Sequence, residues 1–303
     1  MTAAATLTDS SGELEATFLP ALGMVLSSLR HRGDELLSQR GGPEAYAERG
    51  STFAVPLLHP WANRLAGWSY DLLGHDVVID PAYAHRDAAT GLPIHGVLAA
   101  SPYWQVLDTR SDRISAELDF GAHPEYLDAF PFPHRVTYSA DAETLKLTVK
   151  LRIIPSSDLS VPIAFGFHPY LTLPGSDRRD WMLRLPVAER AVLDDRYLPT
   201  GAGEPVAPGA LDGPLGDRAF DDSFERLLGD SPAFSVADPR RRVEISFDCG
   251  YPVAQVFAPP GSDFICFEPM TAPVNALVSG RGLRLAQPGT EFTAAFAITV
   301  QAL

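Results

Sequence analysis

The segment TLKLTVKLRII, residues 144–154, sets Leu145, Leu147, Val149, Leu151 and Ile153 apart with lysine, threonine and arginine between them. A repeat of two puts the apolar side chains on one face of a strand and the polar ones on the other. Such a strand folds only if its dry face is covered, so it predicts a sheet packed against a second layer. The same signature recurs along the chain. YWQVLDTRSDRISAELDF reads as two strands joined by a polar turn near Arg110–Asp112, and DLLGHDVVID as a hairpin turning at Gly74. SSLRHRGDELL turns at Gly33–Asp34, and RRVEISFD and TAAFAITV are further strand candidates. Helix signals are few: GPEAYAERG has room for about two turns, and no long amphipathic stretch with caps follows. The Gly- and Pro-rich segment 198–216 reads as a surface loop. The expectation is an all-β fold, a large antiparallel β-sandwich with few short helices, in one domain over residues 1–303.

Charge and cysteine usage narrow the function classes. A formal net charge of −14 repels phosphate backbones and anionic bilayers, so neither nucleic acid nor a membrane is expected as partner. The two cysteines, Cys249 and Cys266, form no CxxC pair, which argues against structural zinc and dithiol redox chemistry. Cys266 lies in the apolar run DFICFEPM and reads as a buried thiol. The N-terminal residues lack a basic region followed by an apolar one, so no signal peptide is read there. No run approaches the length of a membrane helix. A cytoplasmic enzyme or binding protein is expected, as a monomer or homodimer, without a cofactor.

The chain contains no GxSxG, HExxH, Walker or GxGxxG motif. His123, Glu125 and His134 in AHPEYLDAFPFPH are the candidate metal ligands, but their irregular, proline-rich spacing fits an ordinary polar loop, and no metal site is expected. Five other stretches set a polar or ionisable residue among Gly, Pro and aromatics. They are HPWANRLAGW with Asn63 and Arg64, GLPIHGV with His95, FGFHPYL with His168, FDDSF with Asp221 and Asp222, and FICFEPMTAPVN with Glu268. Glu268 directly follows four apolar or sulfur-bearing residues, a setting that raises a carboxyl's pKa toward that of a useful base. Each stretch alone has an ordinary structural reading: a turn, a cap, a strand end.

Taken in order, Asn-Arg, His-Gly, Gly-Phe-His-Pro-Tyr, an Asp-x-x-Phe segment and a Glu-Pro strand end resemble the aldose 1-epimerase (galactose mutarotase) family. The likeness runs from about Ala16 to Leu303 and includes the opening ATFLPALGMVLSSLRHRGDELL. It implies a β-supersandwich that holds a sugar on its concave face. By the resemblance His168 is the general acid for the ring oxygen and Glu268 the base for the anomeric hydroxyl. His95 hydrogen-bonds on the ring-oxygen side and helps place or protonate that atom. Arg64, Asp221 and Asn63 bind the sugar, with Asp222 the neighbouring alternative to Asp221.

The residue types suit the reaction. Anomer exchange needs a proton off O1 and one onto the ring oxygen, and a carboxylate and an imidazolium on opposite sides of the acetal carbon supply both without metal. Trp61, Trp68, Phe165 or Tyr170 would offer a face to the sugar's C–H surface, and Gly166 would leave it room. A free hexose such as glucose or galactose is the expected substrate. A hexose 6-phosphate, held by Arg86 or Arg281, is the alternative within the fold; a sugar-binding protein without turnover is the alternative outside catalysis.

Overall fold

A computed structural model describes residues 4–303; the first three residues of the segment read above for a signal sequence lie outside them. The two largest sheets have nine and eight strands, with a four-stranded sheet beside them, and the strand pairings are antiparallel. The alternating segment forms the strand Lys146–Pro155, and Leu147, Val149, Leu151 and Ile153 are all fully buried. Burying a side chain of this kind contributes about 2 kcal/mol. Leu145 falls instead in the preceding turn, with a φ of +53°. Lys146–Pro155 sits inside the nine-stranded sheet, between His134–Glu143 and Phe292–Ala302.

The core lies between the two large sheets. Phe296 and Phe234 of the nine-stranded sheet meet Phe167 and Phe267 of the eight-stranded one, at 5.0 and 5.7 Å between ring centres. Phe18 of the four-stranded sheet stands edge-on to Tyr138 of the nine-stranded sheet. The buried cluster takes residues from Leu7 to Val300. Among the described residues no helix is long and apolar enough to cross a membrane.

Most of the expected turns form where the sequence puts them. Gln105–Thr109 and Arg113–Asp119 flank the 110–112 turn, and Ser69–Leu72 and His75–Val78 flank Gly74. GPEAYAER is a helix, Gly42–Arg49. The 198–216 segment departs from the loop reading. Pro199–Pro205 is a strand that pairs with Val187–Leu193 at the edge of the eight-stranded sheet, across a bulge. An edge strand needs only one hydrogen-bonding side, so it tolerates the Gly and Pro content that suggested a loop.

Candidate active site

The site grows from the register of the eight-stranded sheet. Along Ile265–Met270, Cys266 and Glu268 face one side and Phe267 faces the core. Across Val253–Ala258 and Phe220–Leu227 the same face carries two rows. Glu268 pairs with Gln255 and Gln255 with Ser223; Cys266 pairs with Phe257 and Phe257 with Asp221. Tyr170 joins the second row opposite Cys266. These rows floor a pocket of about 170 Å³, walled by Arg40, Asn63, Arg64, Asp87, Ile94, His95 and His168.

His168 follows the short strand Gly166–Phe167, and its backbone N–H donates to the Pro56 carbonyl. Its Nε2 stands 3.2 Å from Glu268 Oε1, and both side chains are almost wholly buried. Burial pushes Glu268 well above the usual carboxylate range, with the Asp221 charge adding to the effect. Burial likewise pushes His168 well below the usual imidazole range, helped by His95 and Arg40. Both shifts favour the neutral pair over the ion pair. The imidazole and the carboxyl lie side by side, in contact, rather than facing each other across the pocket. That suits two oxygens attached to the same carbon. Glu268 Oε2 and Gln255 Oε1 are buried in the pocket without a protein partner, so its floor presents unmet hydrogen-bonding capacity.

A clamp fixes Arg64. Its Nε donates to Asp87 Oδ2 at 2.9 Å and its Nη1 to Asn63 Oδ1 at 3.2 Å, while Nη2 stands 4.0 Å from Asp221 Oδ2. Tyr197 lies against the guanidinium face, 4.8 Å from ring centre to Cζ. Burial pushes Asp87 up, but hydrogen bonds from Thr90 and Arg64 outweigh it and hold the carboxyl below its ordinary value. Asp221 stays raised, chiefly by burial, although Arg64 and the 2.7 Å bond from Gln255 Nε2 oppose it.

Asn63 and His95 both sit in the left-handed region, at φ +59° and +66°, where Asn and His are among the tolerated non-glycine residues. Asn63 N–H donates to His95 Nδ1 at 3.3 Å, which leaves the proton of the neutral ring on Nε2. Burial and the Arg64 charge hold His95 down to about 3, so this ring is neutral near pH 7. Gly96 follows at φ +72°, and a Cβ there would fall 2.1 Å from the His59 carbonyl oxygen. The His-Gly pair is thus a backbone lock that aims His95.

All six sequence-chosen residues line this pocket. Asn63 enters differently from expected, since its carboxamide oxygen is engaged with Arg64. Asp222 is turned away and pairs with Arg190, because neighbours on a strand face opposite sides. Trp61 and Phe165 belong to the core, and Trp68 stacks under Arg86. Only Tyr170 of the four aromatics reaches the pocket; Phe257 and Ile94 supply the rest of its apolar lining. Gly166 leaves no room for a ligand: a Cβ there would meet the Pro269 carbonyl oxygen at 2.7 Å and Ala62 Cβ at 3.0 Å, so it serves strand packing. His123 Nδ1 stands 3.7 Å from Glu125 Oε1, but His134 does not join them, and among the described residues the three form no metal-ligand group. His123 stacks on Tyr103, and His134 is buried in contact with His59. Sequence reasoning missed Arg40, Asp87 and Gln255, none of which stands in a distinctive local motif.

An uncharacterized protein of Escherichia coli K12, YihR, is 25% identical over 291 residues, 94% of this chain and 89% of its own length. A galactose mutarotase-like protein of Clostridium acetobutylicum superposes with a TM-score of 0.84 at 18% identity, covering 96% of this chain and 93% of its own. A galactose 1-epimerase of Lactobacillus acidophilus superposes at 0.74 and 16% identity, over 98% and 93% of the two chains. The family model described as aldose 1-epimerase matches residues 5–299, and the chain belongs to that family.

Proposed function

We propose that the chain interconverts the α and β anomers of a free hexose such as glucose or galactose. The observation that carries this reading is the 3.2 Å contact between His168 Nε2 and Glu268 Oε1 on the floor of a small polar pocket. Ring opening starts from the ionised form of the pair, reached when sugar hydroxyls hydrogen-bond to the two groups. Glu268 takes the proton from O1 while His168 gives one to the ring oxygen. The C1–O5 bond breaks and leaves an aldehyde and a hydroxyl. Rotation about C1–C2 presents the other face of the carbonyl, and closure returns both protons by the reverse path. The neutral His95 donates from Nε2 on the ring-oxygen side and orients that atom without protonating it. Arg64 donates to vicinal hydroxyls, and Asp221 and Gln255 accept from them.

Two arginines speak for an unphosphorylated substrate. Arg86 lies on Trp68 and donates to the Gly91 carbonyl, and Arg281 pairs with Glu225; neither lines the pocket. Polarimetry of freshly dissolved α-glucose and α-galactose, run beside their 6-phosphates, tests the reading. Accelerated mutarotation of the free sugars, indifferent to chelator, is expected. Response to the phosphates alone would move the substrate to the phosphorylated class. Sugar binding without acceleration would leave a non-catalytic receptor.

A further inference from the structure

Arg40 lines the pocket, yet the epimerase reading gives its charge no role. It follows a segment that runs beside Tyr170–Leu171: Ser38 N–H donates to the Tyr170 carbonyl, and Thr172 N–H to the Leu36 carbonyl. From there Arg40 Nη1 donates to the Tyr170 hydroxyl at 2.6 Å. The guanidinium also lies over the Tyr170 and Phe264 rings, 4.8 and 5.5 Å from Cζ to ring centre.

The two arginines of the pocket have unequal surroundings. Arg64 faces two carboxylates, Asp87 at 2.9 Å and Asp221 at 4.0 Å. Among the described residues no carboxylate pairs with Arg40, which is exposed at the pocket mouth. They also stand at opposite ends of one row across the sheet. That row runs Tyr170, Cys266, Phe257, Asp221, with Arg40 on the first side chain and Arg64 facing the last. One end of the pocket therefore carries surplus negative charge and the other surplus positive charge.

We propose that Arg40 binds a carboxylate carried by the substrate, so that the preferred sugar is a hexuronate, a hexose whose C6 is oxidised to a carboxylate. The proposal rests on the roles given above to His168 and Glu268 and narrows the sugar on which they act.

The ring's own connectivity says which substituent meets Arg40. His168 serves the ring oxygen and Glu268 serves O1, so C1 lies on the Glu268 side of the ring oxygen and C5 on the other. Along the strand Ile265–Met270 the pocket face passes from Glu268 to Cys266, and Phe264 extends it. Arg40 lies over Phe264 and Tyr170, at the end away from Glu268, and Tyr170 stacks on His168 at 4.2 Å. The exocyclic carbon on C5 points to that end, while the hydroxyls of C2 to C4 lie toward Arg64 and Asp221. With Nη1 on Tyr170, the guanidinium keeps N–H groups for the two-pronged pairing that suits a planar carboxylate. A phosphate dianion fits less well. A single guanidinium balances one negative charge, and Asp87, Asp221 and Glu268 line the same pocket.

The test is polarimetry at pH 7 and low salt with three freshly dissolved α-sugars: galacturonate, galactose, and the methyl ester of galacturonic acid, which keeps C6 planar without its charge. In the wild type, kcat/KM for galacturonate should exceed that for galactose about tenfold, mostly through KM, with the ester at the galactose level. Added sodium chloride should shrink the advantage, because the pairing lies at the exposed mouth. In Arg40→Leu the ratio of galacturonate to galactose should fall to about one, and Arg40→Lys, which keeps the charge without the fork, should retain part of it. The ratio is read within each variant, so a general loss from disturbing Tyr170 cancels. Galacturonate no better than galactose in the wild type, or a ratio that survives Arg40→Leu, overturns the proposal. Should Arg40→Leu not fold, an ester as fast as the acid in the wild type overturns it equally. If no sugar mutarotates faster, the epimerase reading fails by itself and calorimetric titration decides. Galacturonate bound about tenfold tighter than its ester would uphold the carboxylate site, and equal or absent binding would sink it.

Discussion

Glu268 is 1% exposed and raised well above its ordinary value by burial and by Asp221. A carboxyl whose folded pKa is above its unfolded one gives stability that is complete below the unfolded value near 4.5 and is lost as pH rises toward the folded value. At pH 8 this residue therefore weakens the fold, while serving as the proposed base. Glu268→Gln removes the charge, and its amide can still donate to a neutral His168. Its kcat should fall by about 10² or more, as should that of His168→Asn. Thermal melts of Glu268→Gln should show a gain over wild type that grows from pH 5 to pH 8. A variant equally destabilised at both pH values would mean that the carboxyl is stabilising as it stands, and the assignment of its raised pKa would fail. The residue was legible in FICFEP because an ionisable group beside four buried ones is chemically conspicuous. Arg40, Asp87 and Gln255 were not, because each gains its role from a partner distant in sequence: Tyr170, Arg64 and Asp221.

At the scale of the strand, alternation decides which of two adjacent aspartates belongs to the site. Phe220–Leu227 turns Asp221 toward Gln255 and Arg64, and Asp222 toward Arg190. Asp221→Asn should raise KM about tenfold, the cost of one hydrogen bond to a charged group, with kcat less affected. Asp222→Asn should leave both constants within about twofold of wild type. Equal effects in steady-state assays would contradict the assigned facing. Period two made the paired strands legible, but it does not say which strand lies beside which. The rows Glu268–Gln255–Ser223 and Cys266–Phe257–Asp221 exist only through that register. The edge strand Pro199–Pro205 was illegible for a related reason: it is exposed along nearly its whole length, so no apolar alternation marks it.

At the scale of the whole molecule, a polar contact joins the two large sheets through the core. His59 follows Leu57–Leu58, the edge strand of the eight-stranded sheet, and His134 begins the His134–Glu143 strand of the nine-stranded one. Their Nε2 atoms are 2.8 Å apart, and His134 Nδ1 donates to the Phe132 carbonyl. His134 Nε2 is therefore the acceptor and His59 Nε2 the donor, a pairing that requires His134 neutral. Burial holds His134 down to about 4, and His59 lies well below its ordinary value for the same reason, with His134 adding to it. A histidine with a depressed folded pKa gives stability that is complete above its unfolded value of 6.5 and is lost as pH falls toward the folded one. Between pH 6.5 and 4.5 His134 alone should remove roughly 2 kcal/mol. Urea unfolding midpoints of the wild type should fall across that range. His134→Gln keeps an acceptor for His59 but has nothing to protonate, so it should start lower at pH 7 and fall less steeply. Parallel curves for the two proteins would show that the pair does not set the acid limit of the fold. The carboxylates with lowered pKa values, Asp9 at about 2 among them, would then have to carry it; they lose their contribution only below the ordinary carboxyl range, so the two sources separate by the pH at which the midpoint begins to fall.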